Sequence, residues 1–250
     1  IIKASWVNAA IDAHILLNLP DDGKNILGYD VADSGSDKNA TTHRKGIVTY
    51  WTDEWSGKED ELLKSCTRVH HKARELGATV IYDSIGVGAG CGAKFNELNQ
   101  TNKCSVKHAK FNAGAAVVKP EALYERAAGI KNKDFFTNLK SQSWWCIADR
   151  FRLTYQVVNA IKNGETPPPY QLDELISISS KCPNLEKLKM ELSIPMRDFD
   201  NNGRVKVESK KDLAKRDIKS PNIADSFIMA YAPINSGLNI RPDALKGLFP

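Results

Sequence analysis

Apolar and polar positions along the chain follow two periods. Residues 26–32, ILGYDVA, form a near-continuous apolar run, the pattern of a strand buried in the middle of a sheet. SGSDKN (34–39) is a turn, and residues 40–45 and 47–55 alternate as two further strands meeting near Gly46. In residues 58–77 the period changes: Leu62, Leu63, Cys66, Val69, Ala73 and Leu76 fall on one helical face, and Gly77 supplies a C-terminal stop. ATVIYD (78–83) is a fourth short strand, residues 84–92 a glycine-rich loop, 93–100 a helix and 105–111 a fifth strand. The order β-β-β-α-β-α-β predicts a mixed five-stranded α/β sheet flanked by helices.

Residues 5–18 read as a short helix and 19–25 as the loop after it. The second half opens with a long helical segment over 134–164, then a Pro-rich loop. Residues 191–199 and 204–209 alternate around DNNG, which predicts an added β-hairpin on an Asn-Gly turn. Residues 210–222 read as a basic loop and 223–232 as a final helix.

With 250 residues, 42% of them hydrophobic, the chain can bury a core of one large domain. A net charge of +5 permits an anionic partner without requiring one. Five cysteines, with no CxxC pair, argue against a disulfide framework or a structural zinc site and favour a reducing compartment. No apolar run is long enough to span a membrane, so no membrane partner is expected. The first residues do not read as a signal peptide, and the missing initial Met suggests a piece of a longer chain.

Three carboxylates stand out by position: Asp30 inside the first apolar strand, Asp83 at the end of the fourth, and Asp225 at the start of the last helix. A single Asp at such a boundary is ordinarily a turn or cap residue. Three of them can meet if neighbouring strands carry the first two and a helix packed on the sheet adds the third. Such a cluster repels itself until divalent cations neutralise it, and oxygen ligands suit Mg²⁺ or Mn²⁺. Two ions about 3.5–4 Å apart would activate water and stabilise the leaving oxygen in phosphodiester hydrolysis. Asp37, in the turn, is a candidate accessory ligand, whereas Asp33 reads as structural.

SIGVGAGCGAK resembles a phosphate loop but has neither the GxxxxGK[ST] nor the GxGxxG spacing, so it reads as a turn that lets backbone or nucleic acid approach Asp83. Arg204, Lys206, Lys210, Lys211, Lys215, Arg216 and Lys219 gather just before Asp225. They form either a solvated charged face or a DNA-binding patch that feeds phosphates to the acidic site. Trp144 and Trp145 read as core, and the adjacent His70 and His71 cannot form an i, i+4 metal pair.

GYDVADSGSDKNA (28–40), IYDSIGVGAG (81–90) and SPNIADSFIMAYA (220–232), with VESKKDLAKRDIKSPN before the last, together resemble the C-terminal nuclease domain of tailed-phage terminase large subunits. The resemblance implies an RNase H-like fold and a divalent-metal endonuclease that cuts concatemeric viral DNA when packaging starts and finishes. It carries metal-ligand roles onto Asp30, Asp83 and Asp225 and matches Asp37 to a second acidic position. Asn222 stands where the family often has His or Asp. The implied partners are double-stranded DNA, an ATPase motor domain upstream, the small terminase subunit and the portal. The implied setting is the host cytoplasm, transiently at the procapsid portal. No Walker motif is present, so the chain itself is not expected to translocate DNA. The implied layout is a linker remnant and short helix over 1–25, the nuclease domain over 26–235 and a tail over 236–250. A Holliday junction resolvase or transposase type of nuclease, a non-catalytic DNA-binding assembly domain and an actin-like ATPase stay open as alternatives at this point.

Overall fold

The computed structural model describes residues 1–32, 37–56 and 61–233. Asp33 and the tail over 236–250 lie outside them. Two short helices, α1 (Ala4–Ala10) and α2 (Ala13–Leu16), precede the strands β1 (Asn25–Asp30), β2 (Lys38–Lys45) and β3 (Val48–Ser56). Helix α3 (Leu62–Leu76), strand β4 (Thr79–Asp83), helix α4 (Cys91–Thr101) and strand β5 (His108–Phe111) follow. The second half holds α5 (Asn132–Phe135), α6 (Leu139–Lys162), β6 (Ser177–Ile178), α7 (Leu185–Ser193), β7 (Arg197–Phe199), β8 (Val205–Val207), α8 (Lys210–Lys215) and α9 (Asn222–Tyr231). None of these helices is long and apolar enough to cross a membrane.

The main sheet runs β5-β4-β1-β2-β3-β6. β1–β2 and β2–β3 are antiparallel, whereas β4 joins β1, β5 joins β4 and β6 joins β3 in parallel. The mixed sheet and the β7–β8 hairpin are as the patterning predicts, with a sixth strand added. That strand is two residues long, too short to leave an alternation in the sequence.

Alternate residues of β1 face opposite layers. Leu27 and Tyr29 pack with Val80 and Tyr82 of β4 against Cys66, Val69 and Ala73 of α3 and Phe95 of α4. Ile26 joins Ala40 and Ile81 in the larger core, beneath α1, α6, α7 and α9. This second face is the one that carries the acids, because Asp30 shares the parity of Ile26 and Gly28. Every residue of α9 is buried. This helix lies on β1 and β2 with α6 behind it.

Several local elements depart from the sequence pattern for identifiable reasons. The expected helix over 5–18 breaks at Ile11 and Asp12, where Ile11 bridges to Ile178 and Asp12 takes a left-handed conformation. Val7 and Ala10 are fully buried, so the stretch expected as a linker remnant is built into the core. The long helix is interrupted at Phe136, whose extended backbone bridges to Val205; Asn138 then caps α6 by accepting a hydrogen bond from the Ser141 amide at 2.9 Å. Residues 191–193 belong to α7 rather than to the hairpin, and the basic loop contains α8, capped by Ser209. The glycine-rich stretch is a 3-10 turn over Gly86–Gly90 leading into α4.

Candidate active site

β1 and β4 are parallel, with Tyr29 opposite Tyr82. Asp30 and Asp83, each one residue further on, therefore end neighbouring strands at the same edge of the sheet. Asp225 reaches that edge from above. It sits in the first turn of α9, and α9 approaches β1 closely over Gly28. A Cβ at Gly28 would stand 2.0 Å from the carbonyl oxygen of Ser226 and 2.8 Å from the amide nitrogen of Ala230. The Ser226 hydroxyl also meets the Thr42 hydroxyl at 2.7 Å, fixing α9 to β2. Gly88 plays the corresponding part beside Asp83: a Cβ there would lie 2.0 Å from the Asp83 carbonyl. The glycine-rich turn folds backbone onto the end of β4, which accounts for its composition without a nucleotide.

The three carboxylates sense one another. Asp30, only 6% exposed, is pushed well above the ordinary carboxylate range, first by burial and then by the charge of Asp225, with Asp83 adding a smaller contribution. Lys210 and Lys140 pull it the other way. Asp83 is raised too, chiefly by burial, while the Ile85 amide donates to its carboxylate at 3.0 Å. Asp225 is paired: the Lys140 ammonium, from the first turn of α6, lies 2.9 Å from Oδ1 and 3.1 Å from Oδ2. Lys210 donates to Asp37 at 3.1 Å, and although burial opposes its charge, Asp30, Asp225 and Asp37 together hold its pKa above the ordinary lysine value.

Four carboxylates and two ammonium groups thus share one site. Among the described residues no three His, Cys, Asp or Glu side chains converge tightly enough to hold an ion as they stand. Lys140 occupies the cationic position at Asp225 instead. The donor set is still of a kind hard divalent cations take, all carboxylate oxygen. Asn222, one turn before Asp225, is 4% exposed and its Oδ1 has no hydrogen-bond partner. It lines a cleft of about 690 Å³ bounded by α7, α8 and the start of β2, and Asp37 and Lys210 line the same cleft.

The basic residues of the hairpin and α8 are distributed among local partners. Arg204 pairs with Asp200 at 2.8 Å, Lys206 with Asp198 at 3.0 Å, Lys215 with Asp212 at 2.7 Å and Arg216 with Glu208 at 2.6 Å. Lys210, though exposed, pairs with Asp37 of the acidic site, and Lys211 is exposed with no ion pair among the described residues. Trp144 is fully buried in the core. His14, His43, His70 and His108 bond to Ser177, Asn25, Asn99 and Asn96, all structural contacts.

Lys140 and Glu191 escaped sequence reasoning. Lys140 sits among residues that otherwise read as helix surface, and only the Asn138 cap, which starts α6 two residues earlier, could have marked its place. Glu191 lies in MELSIP, whose alternation imitates a strand. Its carboxylate, 5% exposed, accepts a hydrogen bond from the Ala224 amide at 3.0 Å, and burial raises its pKa to about 7.

A mixed sheet with acids at the ends of two adjacent parallel strands, crossed by a helix that brings a third, defines an RNase H-like nuclease fold. The particular likeness is to the nuclease domains of phage large terminase subunits, as the three motifs imply. The nuclease domain of the large terminase subunit gp2 of bacterial virus Sf6 matches with a TM-score of 0.80 and 29% identity over 92% of this chain and 97% of that one. A lysine-to-alanine mutant of that domain with manganese and β-thujaplicinol matches at 0.81 and 28% identity, and one with calcium at 0.80 and 28%, over the same shares. No protein-family model matches the sequence, and no curated protein is found as a relative.

Proposed function

We propose that the chain is a divalent-metal-dependent DNA endonuclease that cuts concatemeric viral DNA at the beginning and end of genome packaging. The observation that carries this reading is the convergence of Asp30, Asp83 and Asp225 at one sheet edge, with lysine ammonium groups supplying the positive charge there. The likeness to terminase nuclease domains, some of them with manganese or calcium, supports it.

Asp30, Asp83 and Asp225 would hold one or two Mg²⁺ or Mn²⁺ ions, with Asp37 as an accessory carboxylate. Bound metal would supply an activated water and charge stabilisation at the leaving oxygen. The chain's own residues do the rest. Strands β1 and β4 fix Asp30 and Asp83, and the Gly28 contact sets the height of Asp225 above them. Lys140 keeps Asp225 partnered until a stronger cation displaces it. The ion pairs Lys206–Asp198 and Lys215–Asp212 are solvent-exposed and weak, so phosphates can exchange with their carboxylates. Double-stranded DNA is the substrate, and the remaining partners are an ATPase domain, the small subunit and the portal, in the host cytoplasm.

The test is incubation of supercoiled plasmid with Mn²⁺ or Mg²⁺ and with chelator. Nicking and linearisation with metal, and none with chelator, is the expected result. An Asp30→Ala protein that cuts as fast as the parent would remove Asp30 from the site.

A further inference from the structure

We propose that Glu191 is a positioning residue for Asp225, acting from α7 as the N-terminal cap of α9. The inference rests on the nuclease reading for its consequence, although the cap itself does not.

Helix α9 starts without a cap of its own. Pro221 stands at the N-cap and offers no side-chain acceptor. Two of the donors at its start nevertheless find acceptors outside the helix. The Asn222 amide donates to the Ser220 carbonyl at 3.0 Å, and the Ala224 amide to Glu191 Oε2 at 3.0 Å. A carboxylate from another helix therefore fills the place a local Ser or Asp ordinarily takes, directly beside Asp225.

Glu191 is in turn anchored to the strand that lies level with Asp30. Lys187, one turn earlier on α7, lies 3.7 Å from Glu191 and donates to Glu54 of β3 at 2.6 Å and 2.7 Å. Glu54 also accepts from Lys38 at 3.0 Å. Glu54 stands opposite Ala40 of β2, and Ala40 stands opposite Asp30 of β1. One rung of the sheet therefore runs from Asp30 to Glu54. Lys187 carries the connection to α7, and Glu191 carries it on to the turn that holds Asp225. The circuit closes on the two acids across the site and sets their separation. A generic core contact would not have to run through buried charge, which is costly unless paired.

The experiment compares Glu191→Leu, Glu191→Asp and Glu191→Gln with the parent by amide hydrogen exchange on the metal-free protein, by Mn²⁺ binding followed with EPR, and by plasmid cleavage. Leu has no acceptor and Asp is one methylene too short. In both, exchange protection at Ala224 falls about tenfold and the Mn²⁺ concentration for half-saturation rises about tenfold, the worth of one buried hydrogen bond. The rate at saturating Mn²⁺ stays within about threefold of the parent, since binding energy can still draw Asp225 into place. Gln keeps an acceptor at the right reach, so it stays within about threefold in all three measurements. If the Leu protein does not fold, the Asp protein carries the comparison. Parent-like exchange at Ala224 and parent-like Mn²⁺ binding in the Leu or Asp protein overturn the proposal. So does a loss of protection spread evenly over the core, which would make Glu191 a stability residue only. A parent protein that neither binds Mn²⁺ nor cuts refutes the nuclease reading, and exchange at Ala224 still reads the cap by itself.

Discussion

Adding a single methyl at Gly28 tests how the two acid-bearing elements are held together. The new Cβ would lie 2.0 Å from the Ser226 carbonyl oxygen and 2.8 Å from the Ala230 amide nitrogen, both backbone atoms of α9. Carbon and carbonyl oxygen come no closer than about 3.3 Å in stable contacts, so the helix and strand must part by on the order of 1 Å. No flexible side chain can absorb that movement. Overpacking of this kind costs about 1–3 kcal/mol, and two rigid backbones place Gly28→Ala at the upper end. At about 3 kcal/mol in a chain of this size, Tm falls by roughly 6–12 °C. The same displacement separates Asp225 from Asp30, and a misplacement of about 1 Å at a reacting centre costs on the order of a hundredfold in rate. Circular-dichroism melts and initial rates of Mn²⁺-dependent plasmid nicking measure the two effects. Gly90→Ala is the control, because a Cβ there meets only Leu62 Cδ2 at an ordinary 3.8 Å. A Gly28→Ala protein that melts and cuts like the parent would refute the close docking of α9 on β1.

Lys140→Met leaves Asp225 without its ammonium partner and should cost about 2 kcal/mol in metal-free protein, less than a fully buried pair because Lys140 is partly exposed. Saturating Mn²⁺ should recover that loss, so the metal-induced rise in Tm is larger in the variant, and equal rises in both proteins would count against Lys140 as the resident cation. Asp30→Asn removes a carboxyl whose pKa the fold raises, so the metal-free protein should melt higher while cleavage disappears; unchanged cleavage would contradict its role as a ligand. Glu191 sits at about 7 in the folded protein against an ordinary 4.5, so the folded state holds the extra proton between those values. Its contribution is then fully favourable below about pH 4.5 and is lost as pH rises to about 7, a change of about 3 kcal/mol. Melts from pH 5 to pH 8 should show stability falling, with a shallower fall in Glu191→Gln; equal slopes would mean the group titrates normally. Asp30 and Asp83, raised in the same sense, keep part of the slope in the variant.

The sheet and its acids were legible because short apolar strands are conspicuous when a carboxylate interrupts or ends them, as at Asp30 and Asp83. The hairpin was legible from its Asn-Gly turn. Elements held by tertiary contacts rather than by their own period were not. Strand β6 is two residues completing an edge, and α7 ends in Glu191-Leu-Ser, which alternates like a strand. Helix α8 carries its polarity on nearly every side and has only Leu213 to bury. The break before α6 depends on Phe136 meeting Val205, a partner far along the chain. For the site, residue type and position suggested which acids meet. The cations came only with the fold, since nothing local distinguishes Lys140 from the other lysines or shows that Lys210, among its basic neighbours, is the one that pairs with Asp37.

The all-buried helix α9 also dictates when the acid set is complete. Asp30 and Asp83 leave the ribosome well before Asp225, which arrives with the last described element. At about 5–20 residues per second the interval between Asp83 and Asp225 is on the order of ten seconds. Throughout it, the acid set is incomplete. A chain ended before α9 therefore lacks both the third carboxylate and the helix that covers Gly28, so the order of synthesis decides when the site can form.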